Sequence, residues 1–158
     1  MFNFRYLTIL FCFAGIHALG SDFPLLTNVT NRNTVSLNGK WRTFVDQAIM
    51  GNKLEFWEDK AAEDKTELLE YNFDNAELLN VPGDWNSQRP ELKYYEGTIW
   101  YRKIFPFTPK NNKRYILFFG AANYKNEVYL NGEKLGEHLG RFTPFNFEIT
   151  KLVKSYMA

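Results

Sequence analysis

The chain has 158 residues, a length that predicts a single domain. It carries 19 Lys and Arg residues against 18 Asp and Glu residues, and this near-neutrality excludes nucleic acid as an expected partner because phosphate binding needs clustered positive charge. Its only cysteine, Cys12, excludes an internal disulfide framework and a zinc site made of cysteines.

Residues 1–20 have the pattern of a secretory signal peptide. Arg5 supplies a short positive region, the run Tyr6 to Ile16 is apolar but shorter than the roughly 18 residues that span a bilayer, and small residues precede Ser21. We therefore predict cleavage near Gly20–Ser21, a secreted or periplasmic protein, and no membrane attachment after cleavage; an uncleaved anchor is the alternative. Cleavage removes Arg5 and Cys12, which leaves 18 charges of each sign and no thiol.

The first half of the remaining chain contains one clear strand and a charged insertion. Residues 21–34 are polar and lack periodicity, so we expect a flexible leader before a domain at 35–158. Alternation of Trp41, Thr43 and Val45 with other residues predicts the first strand. The charge-rich stretch 51–80 predicts a solvated insertion over the sheet, with a short helix allowed at 61–69. We expect Trp57 to anchor that insertion, and ligand contact is the alternative.

The second half reads as strands separated by turns. Alternation predicts a strand at 98–105, and the apolar run 114–119 is typical of a central strand that is covered on both faces. Asn131-Gly132 predicts a two-residue type I′ hairpin turn, and alternating apolar residues predict another strand at 145–149. Strand signals recur every roughly 10 to 15 residues without helix–strand alternation, which indicates an all-β sandwich or jelly roll.

Chemical motifs are absent from the sequence. It has no zinc-protease helix motif, no nucleophile elbow and no glycine-rich phosphate loop, so we assign no catalytic residue, metal or cofactor. Glycoside chemistry needs two carboxylates facing each other across roughly 5 to 10 Å, and the sequence cannot pair its candidates. We take these as surface carboxylates by default: Asp84, Glu96, Glu127, Glu137 and Glu148.

Four runs of the sequence, in this order, resemble the N-terminal sugar-binding domain of family 2 glycoside hydrolases, which include β-galactosidases, β-glucuronidases and β-mannosidases. The runs are VPGDWN at 81–86, YEGTIWYRKIF at 95–105, RYILFFGAANYKNEVYLNG at 114–132 and LGEHLGRFTPFNFEIT at 135–150. SLNGKWRTFVD at 36–46 is similar to the first strand of that family. The WYRKIF run and the charged insertion are closer to the β-glucuronidase and β-galactosidase branch.

The resemblance implies a jelly-roll β-sandwich of the galactose-binding-domain type. In the family, this domain packs beside an immunoglobulin-like domain and a TIM barrel, and the barrel carries the two glutamates of a retaining mechanism. We therefore expect this chain to be inactive alone and to have carbohydrate, a β-glycoside, or those two domains as partners. The family continues past the segment matching Ile149 to Val153 with at least one more strand, so we expect an incomplete sandwich with an open edge. The chain also departs from the family at Arg141, where a glycine is usual and a side chain is expected either to strain the bend or to change its direction.

Two loops combine aromatic rings with hydrogen-bonding groups, the mixture that sugar recognition needs. The candidate carbohydrate-binding residues are Asp84, Trp85, Asn86, Tyr95, Glu96 and His138. The alternatives are that Trp85 fills the core, that Asp84 caps the turn after Pro82-Gly83, and that the lone His138 is a structural residue. The sequence thus predicts an accessory domain of a β-glycosidase, with a free-standing secreted lectin-like module and an inactive fragment that serves as a docking surface as the two alternatives.

Overall fold

A computed structural model of the chain describes residues 4–12, 24–60 and 71–155. Its strands are β1 (Phe4–Cys12), β2 (Gly39–Asp46), β3 (Glu77–Val81), β4 (Thr98–Pro106), β5 (Ile116–Phe119), β6 (Lys125–Leu130), β7 (Glu133–Leu139) and β8 (Phe145–Glu148). The helices are α1 (Trp85–Gln88) and α2 (Thr150–Ser155), and short 3₁₀ turns lie at Val29–Asn31, Phe56–Glu58 and Pro90–Leu92.

The strands form two antiparallel sheets, which confirms the predicted all-β sandwich. The larger sheet has six strands in the order β3-β2-β4-β1-β6-β7, and the smaller sheet pairs β5 with β8. Asn131 and Gly132 have φ angles of 51° and 82° and connect β6 to β7, as a type I′ turn requires. The hairpin predicted from this pair is therefore present.

The first hydrophobic core lies between the two sheets. Strand residues alternate between the two faces of a sheet, so every second residue of β1, β4 and β6 points at the smaller sheet. These inward residues are Leu7, Ile9, Ile99, Tyr101, Val128 and Leu130, and all are buried. They share the core with Leu117, Phe145, Phe147 and with Val153 of α2. Alternation thus accounts for one side of the sandwich.

The prediction that 114–119 is a central, fully covered strand is wrong. The structure places β5 in the two-stranded sheet, where Leu117 is buried and its neighbours are only half-buried. The ring of Phe119 stacks on Phe145 with centroids 4.6 Å apart. The apolar side chains of β5 are therefore used for partial packing against neighbouring rings, although β5 is not a central strand.

A second core covers the opposite face of the six-stranded sheet. The insertion after β2 was predicted to be solvated, but its described part buries rings against the outward side chains of the sheet. Trp57 stacks on Tyr129 with centroids 4.8 Å apart and an interplanar angle of 5°, which confirms its predicted role as an anchor. The rings of this cluster are those of Phe44, Phe56, Trp57, Tyr71, Phe73, Trp100 and Tyr129, and Leu54 packs against them. The short helix allowed at 61–69 lies outside the described residues.

The N-terminal region meets both sheets. Phe4–Cys12, part of the predicted signal peptide, is the strand between β4 and β6, and its removal by cleavage stays a prediction. Further along, the backbone N–H of Leu26 donates to Oδ1 of the buried Asn146 (2.6 Å), and Nδ2 of Asn146 donates to the Pro24 carbonyl (3.4 Å). The flexible leader predicted at 21–34 also stays a prediction.

Candidate functional site

Asp84 caps the helix that follows β3. Its Oδ1 accepts a hydrogen bond from the Ser87 backbone N–H (2.8 Å), and its Oδ2 accepts one from the Ser87 hydroxyl (2.7 Å). These hydrogen bonds hold the pKa of the Asp84 carboxyl below its usual value. The carboxylate therefore serves as an N-cap, as the structural alternative expected.

Three further predicted site residues hold the loop in shape. The indole N–H of Trp85 donates to the Tyr95 carbonyl (3.3 Å), and Trp85 packs against the first core. Nδ2 of Asn86 donates to the carbonyls of Leu92 (2.6 Å) and Tyr95 (3.2 Å). The Tyr95 hydroxyl accepts from the Thr98 N–H (3.2 Å) and donates to its carbonyl (3.1 Å). These groups are directed into the protein, and their carbohydrate contact stays a prediction.

The same loop directs two other side chains outward. The Tyr94 side chain is 85% exposed, and Glu96 is also exposed. The Lys93 ammonium lies 5.3 Å from the centroid of the Tyr94 ring, within range of a cation–π contact. The accessible ring of this loop is therefore Tyr94, and the carboxylate of Glu96, two residues further along the chain, is also exposed.

His138 lies in β7 and is packed against the first core. Its ring stacks on Phe145 with centroids 4.1 Å apart, and its Nε2 lies 3.1 Å from Oγ1 of Thr143. Burial lowers the pKa of His138, which favours the neutral imidazole. These contacts are those of a structural histidine, and a role in carbohydrate binding stays a prediction.

The bend after His138 exposes an aromatic ring that the sequence reasoning did not select. The positive φ angle is at Phe142 (52°) and not at Arg141, where strain was expected. The Phe142 side chain is 85% exposed, and the Arg141 guanidinium lies 5.6 Å from the centroid of the Tyr124 ring. The sequence feature that could have pointed to Phe142 is that a large apolar residue stands in a bend otherwise made of Gly, Arg, Thr and Pro.

The two loops lie at the same end of the six-stranded sheet. Register across the sheet pairs Phe11 with Ile99 and Cys12 with Lys125, and Lys125 pairs in turn with Leu139. The start of β4, the start of β6 and the end of β7 therefore share one end. At about 4.8 Å per strand, β4 and β7 are roughly 14 Å apart.

We call this end the rim, defined by Tyr94, Glu96, Tyr124, Arg141 and Phe142. Its exposed rings offer flat apolar faces, its guanidinium offers paired donors, and its carboxylate offers acceptors. Apolar faces beside charged hydrogen-bonding groups can hold a sugar ring, whose own faces are apolar and whose edge carries hydroxyls. The rim is the candidate binding site.

The remaining carboxylates are held by cations. Glu127, expected at the surface, is buried, and its Oε2 accepts from Lys134 (2.9 Å) and from the Tyr129 hydroxyl (2.9 Å). Burial alone raises the pKa of Glu127, but these two hydrogen bonds and the neighbouring lysine charges outweigh it and lower that pKa. Glu148 pairs with Arg114 (2.8 Å). These carboxylates are thus engaged in structural contacts.

Within residues 4–12, 24–60 and 71–155, no three His, Cys, Asp or Glu side chains are grouped so that they could hold a metal ion. Over the same ranges, none of the helices has the length and apolar character needed to cross a membrane.

Comparison with known proteins gives consistent relatives. The family described as "Glycosyl hydrolases family 2, sugar binding domain" matches residues 34–156. A putative β-glucuronidase of Formosa agariphila is 37% identical over 91 residues, which are 55% of this chain and 11% of that protein. A β-galactosidase of Thermoanaerobacter pseudethanolicus is 37% identical over 100 residues, which are 58% of this chain and 13% of that protein.

Solved structures give the same result. A β-glucuronidase of an uncultured Clostridium species has a TM-score of 0.59 at 27% identity and matches 73% of this chain and 19% of its own. A β-glucuronidase of Bifidobacterium dentium, solved with coumarin-3-O-glucuronide, has a TM-score of 0.54 at 30% identity and matches 73% of this chain and 17% of its own. The chain thus spans less than a fifth of the length of these relatives.

Proposed function

Because the chain belongs to the sugar-binding domains of glycosyl hydrolase family 2, we propose that it is the carbohydrate-contacting N-terminal domain of a secreted β-glycosidase. In this proposal the catalytic glutamates are supplied by a barrel outside these 158 residues. The domain itself binds and orients the sugar or its aglycone at the rim. The relatives named above, which are β-glucuronidases and β-galactosidases, support a β-glycoside as the ligand.

The observation that carries the proposal is the composition of the rim. Tyr94 and Phe142 are each 85% exposed at the same end of the sheet, so the faces of both rings are available to a ligand. Arg141 lies beside Phe142, and a guanidinium binds a carboxylate through two parallel hydrogen bonds. We therefore favour a β-glucuronide, which carries a carboxylate, over a neutral β-galactoside.

The proposal is tested by titrating the purified chain with an aryl β-glucuronide and with the matching aryl β-galactoside. Loss of one stacking ring is worth about 1 kcal/mol, so Phe142→Ala and Tyr94→Ala are each expected to weaken binding about five- to tenfold. Val35→Ala, which truncates an exposed side chain outside the rim, is the matched control and leaves affinity unchanged. Equal affinity for wild type and both ring variants would overturn the assignment of the rim.

The Trp85→Ala variant cannot distinguish a loss of carbohydrate binding from a loss of stability. Trp85 packs against the first core and its indole N–H holds the Tyr95 carbonyl, so its truncation changes the fold as well as the loop. Only the outward rings separate binding from stability.

A lectin-like module is the second candidate, since exposed rings serve a free-standing binder equally well. The accessory role and the lectin role are distinguished by adding the barrel of a related enzyme, prepared without the N-terminal domain of that enzyme. Restored hydrolysis of an aryl β-glycoside supports the accessory role, whereas sugar binding with no restored hydrolysis supports the lectin. Hydrolysis by the purified chain alone would contradict both.

We propose, finally, that residues 1–20 direct secretion. The apolar run after Arg5 and the small residues before Ser21 support this. Expression of the full chain in a secreting host should yield a protein outside the cytoplasm whose N-terminus is at or near Ser21. An intact N-terminus on protein retained in the cytoplasm would refute the proposal.

A further inference from the structure

β1 is inserted between two strands that do not pair with each other. It runs antiparallel to β4, from Phe4 opposite Pro106 to Phe11 opposite Ile99, and antiparallel to β6, from Leu7 opposite Leu130 to Cys12 opposite Lys125. At about 4.8 Å per strand, β4 and β6 are roughly 9.6 Å apart. That separation accommodates one strand, and we call the space the β4–β6 gap.

The middle of β1 is buried on both faces of the sheet. Leu7 (0% exposed) and Ile9 (4%) point into the first core, opposite Leu130 and Val128 of β6 respectively. Thr8 (1% exposed) points to the opposite face, in register with Arg102 and Tyr129. The gap therefore has apolar positions on one side, a small polar position on the other, and a backbone ladder along each edge.

Emptying the gap would expose all of these groups at once. The facing edges of β4 and β6 would lose their backbone partners, and unpaired strand edges readily pair with another extended segment. The apolar side chains that now contact Leu7 and Ile9 would face water. Yet the strand that prevents this lies in the segment whose sequence predicts a removable signal peptide.

We propose that the β4–β6 gap is a strand-acceptor site whose occupant in the uncleaved chain is residues 4–12. In this proposal, the ladders and the apolar positions hold the segment, and the covalent connection through residues 13–23 is dispensable. The site takes an extended peptide of about nine residues that runs antiparallel to both neighbours, a form of β-strand addition. Its ligand carries branched apolar side chains at the positions of Leu7 and Ile9 and a small polar one between them. The proposal does not depend on carbohydrate binding.

The test begins from the full chain with a protease recognition sequence placed within residues 13–23. After cutting, native mass spectrometry and gel filtration are expected to show the N-terminal fragment still bound to the remainder. Hydrogen exchange in β4 and β6 should match that of the uncut chain, because the ladders remain formed. Release of the fragment on cutting, or exchange in β4 and β6 that is unchanged after release, would overturn the proposal.

A peptide-exchange experiment measures which peptide sequences the β4–β6 gap binds. A labelled peptide of residues 4–12 should replace the cut fragment in mild urea. The same peptide with Ile9→Val, which removes one methylene, should bind with an affinity within about tenfold of that of the wild-type peptide. Ile9→Asp should bind at least roughly 100-fold more weakly, because an ionised carboxylate cannot be buried unpaired in an apolar core. This comparison uses one folded protein throughout, so it holds even where the full chain with Ile9→Asp does not fold.

Two results of the exchange experiment contradict the proposal. Equal binding of the wild-type and Ile9→Asp peptides would show that the core positions do not select the strand. A cut protein that expels its fragment and forms a dimer would show that a second copy, and not residues 4–12, is the preferred occupant of the gap.

Discussion

Phe56→Ala tests whether the insertion completes a core or only covers the sheet. The Phe56 side chain is 2% exposed and its ring centroid lies 4.0 Å from that of Tyr71, 5.3 Å from Phe44 and 5.6 Å from Trp100. Truncation of a fully buried phenylalanine costs 3–5 kcal/mol, so we expect the free energy of unfolding to fall by about 4 kcal/mol. For a domain of about 150 residues this corresponds to a fall in Tm of roughly 8 to 16 °C.

The measurement is urea and thermal unfolding of the variant beside wild type, followed by limited proteolysis. The matched control is Phe142→Ala, which truncates the same residue type at a side chain that is 85% exposed and should change stability by less than about 0.5 kcal/mol. Proteolysis should become faster within the insertion in Phe56→Ala alone. A loss below about 1 kcal/mol with unchanged cleavage would refute the second core as a stabilising element.

Three further predictions concern the framework of the domain. Gly51→Ala should lower the urea midpoint by an amount equivalent to about 2 kcal/mol, because a β carbon there would overlap the buried indole of Trp100, whereas Gly120→Ala meets nothing within 4 Å and should be neutral. Asp84→Ala should cost about 1 kcal/mol by removing the cap of α1, and Asp84→Asn should retain most of it; equal losses would contradict the capping role. Because the pKa of Glu127 is lowered in the folded state, its stabilising contribution is present at neutral pH and is lost as the pH falls through that lowered pKa. Between pH 7 and pH 3, the free energy of unfolding of Glu127→Gln should therefore fall by less than that of wild type. Parallel plots of that free energy against pH for the two proteins would refute this.

Local patterns predicted much of the sandwich because local rules govern it. The Asn131-Gly132 pair determines its own turn, and alternation from Glu127 to Leu130 correctly separates Val128 and Leu130 from the other face. The second core was not predictable in this way. Phe56 and Tyr71 belong to segments without periodicity, and only the fold brings their rings together.

The candidate site shows the same limit. The sequence drew attention to the loops at 84–86 and 94–96, but it could not tell which of their rings point outward. Trp85 and Tyr95 are used for internal hydrogen bonds, while Tyr94, their near neighbour, is exposed. Phe142 was not selected because its exposure follows from a single positive φ angle that no periodic pattern reports.

β1 illustrates a different limit. An apolar run after a basic residue has the composition of a signal peptide and also that of a strand covered on both faces. Burial of Leu7, Thr8 and Ile9 depends on the gap that β4 and β6 leave between them, which is a property of the assembled sheet.

Binding of a β-glucuronide at the rim can be followed by amide chemical-shift mapping during titration with an aryl β-glucuronide. We expect saturable shifts confined to the segments that form the rim, at 94–97, 121–124 and 140–143, and their loss in Phe142→Ala. Saturable shifts elsewhere on the domain, or none at millimolar ligand, would show that the rim is not the binding site.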